Sequence, residues 1–406
     1  MSGQALKGGT AYEVTGGKTL VSSTEYDIAG GKTLIGGTEH DISFKKLISS
    51  NSYIWSGNIG ARGEVVAYGN GYYVVAGRQV LSSTYYARIA YTTEPNGNWT
   101  TVNIWSNGSG SYANDSNCIK CITYANGYWI VGGDYYNGST HTARIAYATS
   151  LSGTWTVVDL WGNSTAGCVN AVTYGNGYFV VTGTGYVSGT NYCYVAYATT
   201  PSGSWTTRQV TGNGLSNCGN SIAYANGYYV IGSSSYSDSD SNNYGTLIYT
   251  TSPSGTWSFQ NRWSTTEDAG IYCITYQNGY WVAAGTYGDN ARVSRATSPT
   301  GVWATKDLWS STSSRAVSVA YGNGYWVVGG RYYDGSTYYG RIAYSTDLTG
   351  SWTTNDLWSG SGASHNYVTS VAYGNDFWLA GGRNYSSSRY YAKLAYDNSD
   401  VPFSSL

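Results

Sequence analysis

The sequence predicts an all-β fold. Residues 46–406 read as a seven-bladed β-propeller of four-stranded blades, closed by an N-terminal strand, and residues 1–45 as a short N-terminal β-repeat segment. Three observations predict this. A tyrosine-centred turn recurs seven times, each recurrence is followed by the same order of apolar and turn-forming residues, and the strand missing from the end of the chain stands at its front.

The turn reads Tyr68-Gly69-Asn70-Gly71-Tyr72 and Tyr124-Ala125-Asn126-Gly127-Tyr128, then recurs from Tyr174, Tyr224, Tyr276 and Tyr321. Its last copy is Tyr373-Gly374-Asn375-Asp376-Phe377. Asn-Gly between apolar runs is the strongest short hairpin signal, because a type I′ turn needs positive φ at both central residues. The strand before the turn, strand A, always has Val or Ile two residues before the tyrosine, from Val66 to Val371. Strand B follows as a nearly continuous apolar run, such as Tyr325-Trp326-Val327-Val328, which suits burial on both faces. Strand C reads Arg88-Ile89-Ala90-Tyr91, Arg144-Ile145-Ala146-Tyr147 and Arg341-Ile342-Ala343-Tyr344. A second turn ends in Gly-x-Trp (Trp99, Trp155, Trp205, Trp257, Trp303, Trp352), and strand D often ends in an apolar residue and Trp, as at Trp105, Trp309 and Trp358. Four strands in roughly 50 residues, repeated seven times, describe a propeller. The seventh unit stops after Lys393-Leu394-Ala395-Tyr396 without a strand D, while Tyr53-Ile54-Trp55-Ser56 matches Asn103-Ile104-Trp105-Ser106. Using that front strand to finish the last blade removes an exposed edge. An open β-solenoid is the alternative, and it leaves this permutation unexplained.

The N-terminal segment has its own shorter repeat. Gly16-Gly17-Lys18-Thr19-Leu20 through Asp27-Ile28 recurs as Gly30-Gly31-Lys32-Thr33-Leu34 through Asp41-Ile42. So small a segment buries little core alone, so it is expected to attach to another chain or a neighbouring structure.

Composition narrows the function classes. Net charge is −1 and 11% of residues are charged, which gives no electrostatic case for nucleic acid or an anionic membrane surface. No apolar run reaches the roughly 20 residues of a membrane span, so no membrane insertion is expected. The front of the chain lacks the apolar core of a secretory signal, so synthesis in a reducing cytoplasm is expected, with the six cysteines as free thiols.

Two resemblances follow from quoted motifs. Thr346-Asp347-Leu348-Thr349-Gly350-Ser351-Trp352 resembles the Asp-box of sialidase-like propellers, with a one-residue departure in the Asp-to-Gly spacing; other units place Glu94, Ser150, Thr200, Ser252 or Ser298 at the Asp position. The N-terminal Gly-Gly-Lys-Thr-Leu units resemble short repeats in bacteriophage tail and virion structural proteins. The second resemblance implies a virion location, other virion or tail proteins as partners of the N-terminal segment, and multiple copies per particle.

The sialidase-like resemblance would imply an arginine cluster for a carboxylate, a Tyr–Glu nucleophile pair and an Asp acid/base. In the propeller Glu occurs only at Glu64, Glu94 and Glu267, and Arg88, Arg144 and Arg341 share one repeat position, which reads as architecture. Glycosidases generally need two carboxylates across one bond. Asp238 and Asp240 read as a solvated loop tip. His40, His141 and His365 pair with no metal-ligand spacing, and Cys118-Ile119-Lys120-Cys121 is a lone C-x-x-C. Cys118, Cys168 and Cys218 share one place in three successive blades, read as small residues filling an inner-strand slot. Lys18 and Lys32 lack the earlier glycine of a P-loop. No catalytic residue, metal site or cofactor is therefore expected.

Binding is expected on one face. The A–B and C–D turns hardly vary between units, whereas the B–C and D–A loops vary in length and content and are rich in Tyr, Ser, Gly and Asn. That mixture combines rigid amphipathic area with adaptable hydrogen bonding and suits sugars. The candidate ligand-binding residues are Tyr112, Tyr135, Tyr136, Asn137, Tyr332, Tyr333, Asp334 and Tyr385. Tyr-rich loops also stabilise hairpins through cross-strand pairs. The tryptophans at Trp55, Trp105, Trp161, Trp263, Trp309 and Trp358 are expected to pack between blades. The leading reading is a non-enzymatic virion adhesin for a host surface glycan or protein, with avidity from many copies. The alternatives are a purely structural virion component and, less favoured, a glycan-degrading glycosidase.

Overall fold

The computed structural model describes residues 3–404 apart from 8–9, 15–17, 22–23, 28–29, 36–37, 44–48, 58–60, 83, 107–116, 164–165, 211–215, 238, 362–365 and 387–388. Side chains are described from residue 50 onward, except at 51, 56–57, 163, 216–217 and 361.

Seven sheets of four antiparallel strands form the ring, and no helix occurs among the described residues. Blade 1 is Arg62–Gly69, Tyr72–Leu81, Thr84–Thr92 and Thr100–Ser106. Blades 2 to 6 repeat that order with strand A at Cys118–Ala125, Gly167–Gly175, Ser216–Ala225, Ala269–Gln277 and Arg315–Gly322. Blade 7 takes three strands from Tyr367–Gly374, Phe377–Ser386 and Arg389–Asp397, and its outer strand from Ser49–Gly57. That closing strand runs antiparallel to Arg389–Asp397, with Trp55 opposite Ala392 and Ser52 opposite Leu394. Blade count and closure are as the sequence predicts.

The hairpin turns form for the expected reason. Asn70 and Gly71 have φ of 47° and 81°, and the same pair of left-handed values recurs in each blade, down to Asn375 and Asp376 at 44° and 65°. The C–D turns share one bond: Gly97 N–H donates to the Glu94 carbonyl (2.8 Å) and Gly350 N–H to that of Asp347 (3.2 Å), with four equivalents between. Strand B is buried on both faces, as in Trp326 to Arg331.

Apolar burial lies in seams between blades. Val74, Ala76 and Ile89 of blade 1 pack with Ile119, Trp129 and Val131 of blade 2. The strand D tryptophans stand in these seams and also bond across them. Trp55 Nε1 donates to the Arg78 carbonyl (2.7 Å), Trp105 to Asp134 (3.2 Å), Trp161 to Thr184 (2.9 Å), Trp309 to Arg331 (2.9 Å) and Trp358 to Arg383 (3.1 Å). Trp263 instead meets Ser294 Oγ at 3.2 Å. The joint between blades 7 and 1 is bonded like the others. Val66 N–H donates to Ser370 Oγ (3.1 Å), as Ile274 N–H does to Ser221 Oγ (3.1 Å) and Val371 N–H to Ser318 Oγ (3.0 Å).

The N-terminal segment forms three two-stranded hairpins, Gly3–Lys7 with Thr10–Val14, Lys18–Val21 with Thr24–Asp27, and Gly30–Ile35 with Thr38–Ser43. The first is a third copy of the short repeat. Its Ser2-Gly3-Gln4-Ala5-Leu6 hides the Gly-Gly-Lys-Thr-Leu signature.

Candidate functional site: the axial cavity

Strand A carries a β-bulge in every blade, always four residues before the turn tyrosine. The register shifts put the extra residue at Glu64, Lys120, Asn170, Asn220, Tyr272, Val317 and Thr369. A bulge bends its strand and re-aims a side chain. All seven of these residues line one axial cavity of about 400 Å³, together with Arg315, Tyr367 and Arg383. A second depression of about 520 Å³ at Arg262, Trp263, Val302 and Trp303 belongs to blades 4 and 5 alone and has one charged side chain in its lining. The axial cavity draws on every blade and carries the unusual chemistry.

The bulge residues do two different jobs. Asn170 Nδ2 donates to the Gly219 carbonyl and Asn220 Nδ2 to that of Ile271, both at 2.9 Å, and Thr369 Oγ1 donates to that of Gly63 at 2.8 Å. These three tie one blade to the next. Glu64, Lys120 and Tyr272 instead bring ionisable groups to the cavity.

A second layer lies beside the bulges, where the start of strand A pairs with the end of strand B. The register pairs are Arg62 with Arg78, Cys118 with Asp134, Cys168 with Thr184, Cys218 with Ser234, Gly270 with Thr286, Arg315 with Arg331, and Tyr367 with Arg383. Since blade 7 adjoins blade 1, five arginines fall on one arc of the ring. Cysteines and small residues occupy the other arc. Arg78 and Arg62 are 0% and 5% exposed, so this is charge held within the protein.

Neighbouring charges set the protonation states. Burial pushes the Glu64 carboxyl up, but Arg383, Lys120, Arg62 and Arg78 outweigh it and hold it at about 2. Arg62 Nη1 stands 3.6 Å from Glu64 Oε1. Burial lifts Asp134 to about 6 against the pull of Lys120 and Arg78, and its Oδ2 accepts the Asn117 N–H at 2.8 Å. Burial disfavours the Lys120 ammonium, yet anionic neighbours including Glu64 and Asp134 raise its pKa above the usual range. Burial raises the Tyr272 phenol, which stands 3.5 Å from Asp268 Oδ1. Burial also pushes the Cys118 thiol up to about 11 and raises that of Cys168, which keeps both neutral and unreactive near pH 7. Among the described residues no three His, Cys, Asp or Glu side chains converge as a metal site.

Six of the candidate loop residues occupy two matched B–C turns. Asn137 Oδ1 accepts the N–H groups of Ser139 (3.0 Å) and Thr140 (2.8 Å), and Asp334 Oδ1 accepts those of Ser336 and Thr337, both at 2.8 Å. Those backbone bonds hold the Asp334 carboxyl at about 2. Tyr136 stacks on His141 at 4.4 Å and Tyr333 on Tyr338 at 4.3 Å, with their hydroxyls on the Gly138 and Gly335 carbonyls. Tyr135 lies 3.5 Å from the Arg144 guanidinium and Tyr332 the same distance from that of Arg341, while Tyr385 packs on Tyr390 at 4.7 Å. Each described candidate side chain therefore has a structural partner as well as a place on the loop face. Tyr112 lies outside the described residues, as do Asp238 and His365. The repeated arginines are architectural, as read: Arg144 and Arg341 pair with Asp159 and Asp356 of strand D, both at 2.6 Å.

In the sequence Glu64 stands out only as one of three propeller glutamates, and nothing local gathers the arginine arc. Aligning the units on the turn tyrosine gives the available signal. The position four before it reads Glu, Lys, Asn, Asn, Tyr, Val, Thr, and the position ten after it reads Arg, Asp, Thr, Ser, Thr, Arg, Arg.

No family model and no curated protein matches this chain. Among solved structures, it is similar to YCF48 bound to D1 peptide, at 11% identity and TM-score 0.51, over 87% of this chain and 96% of that one. It also aligns with the Trypanosoma rangeli sialidase in complex with sialic acid, at 13% identity and TM-score 0.45, over 82% of this chain and 59% of that one. This chain thus spans 59% of the sialidase's length. At 11% identity the likeness to YCF48 speaks for the propeller fold alone.

Proposed function

We propose that this chain is a non-enzymatic recognition propeller, an adhesin on a bacteriophage virion or tail, whose loop face holds a host surface glycan or protein. The N-terminal hairpins would attach it to other virion proteins, in several copies per particle. The carrying observation is the contrast between the two faces. One presents near-identical Asn-Gly and Gly-x-Trp turns. The other presents loops of different length, with tyrosine rings already fixed by stacking and by capped turns. Aromatic area fixed before binding loses little entropy on contact, which favours recognition. The virion assignment is supported by the N-terminal repeats.

The non-enzyme reading is supported by the cavity's lining. Among the described residues it includes one carboxylate, Glu64, whereas glycoside hydrolysis generally uses two across one bond. The test is a glycan array and bacterial-envelope binding assay with the full chain. Saturable binding that falls at least tenfold in Tyr136→Ala combined with Tyr333→Ala is expected. Silence on every glycan and envelope would point to a purely structural role, and release of sugar from host polysaccharide would overturn the non-enzyme reading.

A further inference from the structure

One joint of the ring departs from the repeat at two positions that line a single groove. In the C–D turns the residue between Gly and Trp is Asn98, Thr154, Ser204, Thr256 and Ser351, but in blade 5 it is Val302. Val302 is 94% exposed, whereas Tyr53, the next most exposed large apolar side chain among the described residues, is 53% exposed. In strand D the residue before the tryptophan is Ile54, Ile104, Leu160, Leu308 and Leu357, but in blade 4 it is Arg262. Elsewhere that aliphatic residue shares a seam with the turn tryptophan of the next blade: Ile54 with Trp99, Ile104 with Trp155, Leu160 with Trp205 and Leu308 with Trp352. Arg262 instead sets its guanidinium 5.4 Å from the Trp303 ring, and its Nη2 donates to Gln260 and to the Pro299 carbonyl, the latter at 2.8 Å. Tying down the next turn does not require this exchange. Blade 3 does so from Arg208, whose Nη1 donates to the Ser254 and Gly255 carbonyls at 2.6 Å and 2.9 Å, and it keeps Val210 at the place of Arg262. At the exceptional joint lies the groove of about 520 Å³, lined by Gln260, Arg262, Thr300, Val302 and Trp303 among others. Among the described residues its lining holds no carboxylate, and Arg262 Nε is buried without a hydrogen-bond partner.

Val302 lies in a C–D turn, and the N-terminal segment joins the ring on that same turn face. Ser49, where the closing strand begins, pairs with Asp397 at the end of strand C. The junction is at blade 7, far around the ring from the joint of blades 4 and 5. The register of the hairpins sets Glu25 opposite Leu20 and Glu39 opposite Leu34, while Asp27 and Asp41 stand opposite Lys18 and Lys32. Positions directly opposite in an antiparallel pair share a face. Two of the hairpins thus place a glutamate position beside a leucine position, the complement of Arg262 beside Val302 and Trp303. We propose that the groove at blades 4 and 5 docks an N-terminal hairpin of a second copy of this chain, with Glu25 or Glu39 meeting Arg262, and Leu20 or Leu34 lying against Val302 and Trp303. Arginine and tryptophan are favoured at the cores of protein interfaces, and a carboxylate on a guanidinium makes a stronger bond than a neutral pair. Such a contact joins two different surfaces, so it links copies into a ring or an open chain. It rests on the attachment role proposed above for the hairpins, and not on what the loop face binds.

The test is sedimentation velocity of the full chain over a range of concentrations. Reversible association that weakens as sodium chloride is raised is the expected result. Arg262→Leu combined with Val302→Ser gives both positions residues usual in the repeat, so urea stability holds while association weakens at least tenfold. Glu25→Gln combined with Glu39→Gln, on the hairpin side, weakens it as much. All four substitutions together weaken it no further than either pair, because both pairs remove one contact. A chain that is monomeric at every concentration overturns the proposal, and so does association that either pair leaves unaltered. The hairpin pair lies outside the propeller, so the proposal stays falsifiable if the groove pair fails to fold. Association alongside a silent glycan and envelope assay removes the host-binding reading alone. Monomers that still bind glycan remove the docking alone.

Discussion

Blades 3 and 4 and blades 6 and 7 use the same register positions for opposite ends. In blades 3 and 4 the bulge residues Asn170 and Asn220 reach sideways and bond the next blade, and the layer beside them is Cys168, Cys218, Thr184 and Ser234. In blades 6 and 7 that layer is Arg315, Arg331, Tyr367 and Arg383. The backbone is the same in both arcs, down to the bulge and the tryptophan bond that pins the end of strand B. The fold thus fixes where these side chains stand and leaves open what they are. One arc uses both layers to seal the ring, while the other keeps Thr369 as a seal and places arginines in the layer beside it.

The largest test of this contrast removes the pinning tryptophan from each arc. Trp358 is 6% exposed, packs with Val368 and Val371, and bonds the Arg383 carbonyl. Trp358→Ala is expected to cost about 3–5 kcal/mol in urea unfolding. Trp161 is more exposed and stacks on Tyr194 at 5.5 Å. Trp161→Ala is expected to cost no more than about 3 kcal/mol. A loss as large in Trp161→Ala as in Trp358→Ala would mean that burial of the ring does not separate the two arcs.

Next in size is the charge balance at the boundary of the two arcs. Glu64 ionises at about 2 in the folded chain, against an ordinary 4.5. A depressed carboxyl contributes stability that is fully present above the unfolded value and lost as pH falls through the folded one. Glu64→Gln is therefore expected to cost about 3 kcal/mol at pH 7. The gap from the unaltered chain should close between pH 4.5 and about 2. Urea unfolding at a series of pH values checks this. A gap that does not change with pH would show that the surrounding cations do not act on Glu64.

The parts of the molecule differed in how far sequence exposed them. The ring was legible because Asn-Gly turns and Gly-x-Trp endings are local signals, and because Tyr53-Ile54-Trp55 carries the motif that the last unit lacks. The tyrosine loops were legible as places, since the units differ there in length. Their fixed geometry was not, because stacking of Tyr333 on Tyr338 depends on hairpin register. The axial site was hidden for a different reason. Glu64 and Arg383 are far apart in the chain and meet only once the ring closes. Variation at the bulge position, Glu to Lys to Asn to Tyr, reads as noise until every copy is known to point at one axis.

The smallest expected effect sharpens the sealing half of the comparison. Asn220 Nδ2 donates to the Ile271 carbonyl at 2.9 Å and to Ser234 Oγ at 3.2 Å, so it holds blade 4 to blade 5 and to its own strand B. Asn220→Ala removes a part-buried donor and leaves a carbonyl with one fewer partner, at a cost of about 1 kcal/mol. Val317 stands at the equivalent place in blade 6 and has no polar atom to lose. Val317→Ala therefore trims only methyl groups beside the cavity and should cost less than Asn220→Ala. Paired unfolding curves on the two variants decide this. Equal costs would mean that the bulge position contributes through bulk alone, and the division between sealing and cavity-facing residues would then have to be drawn elsewhere in the strand.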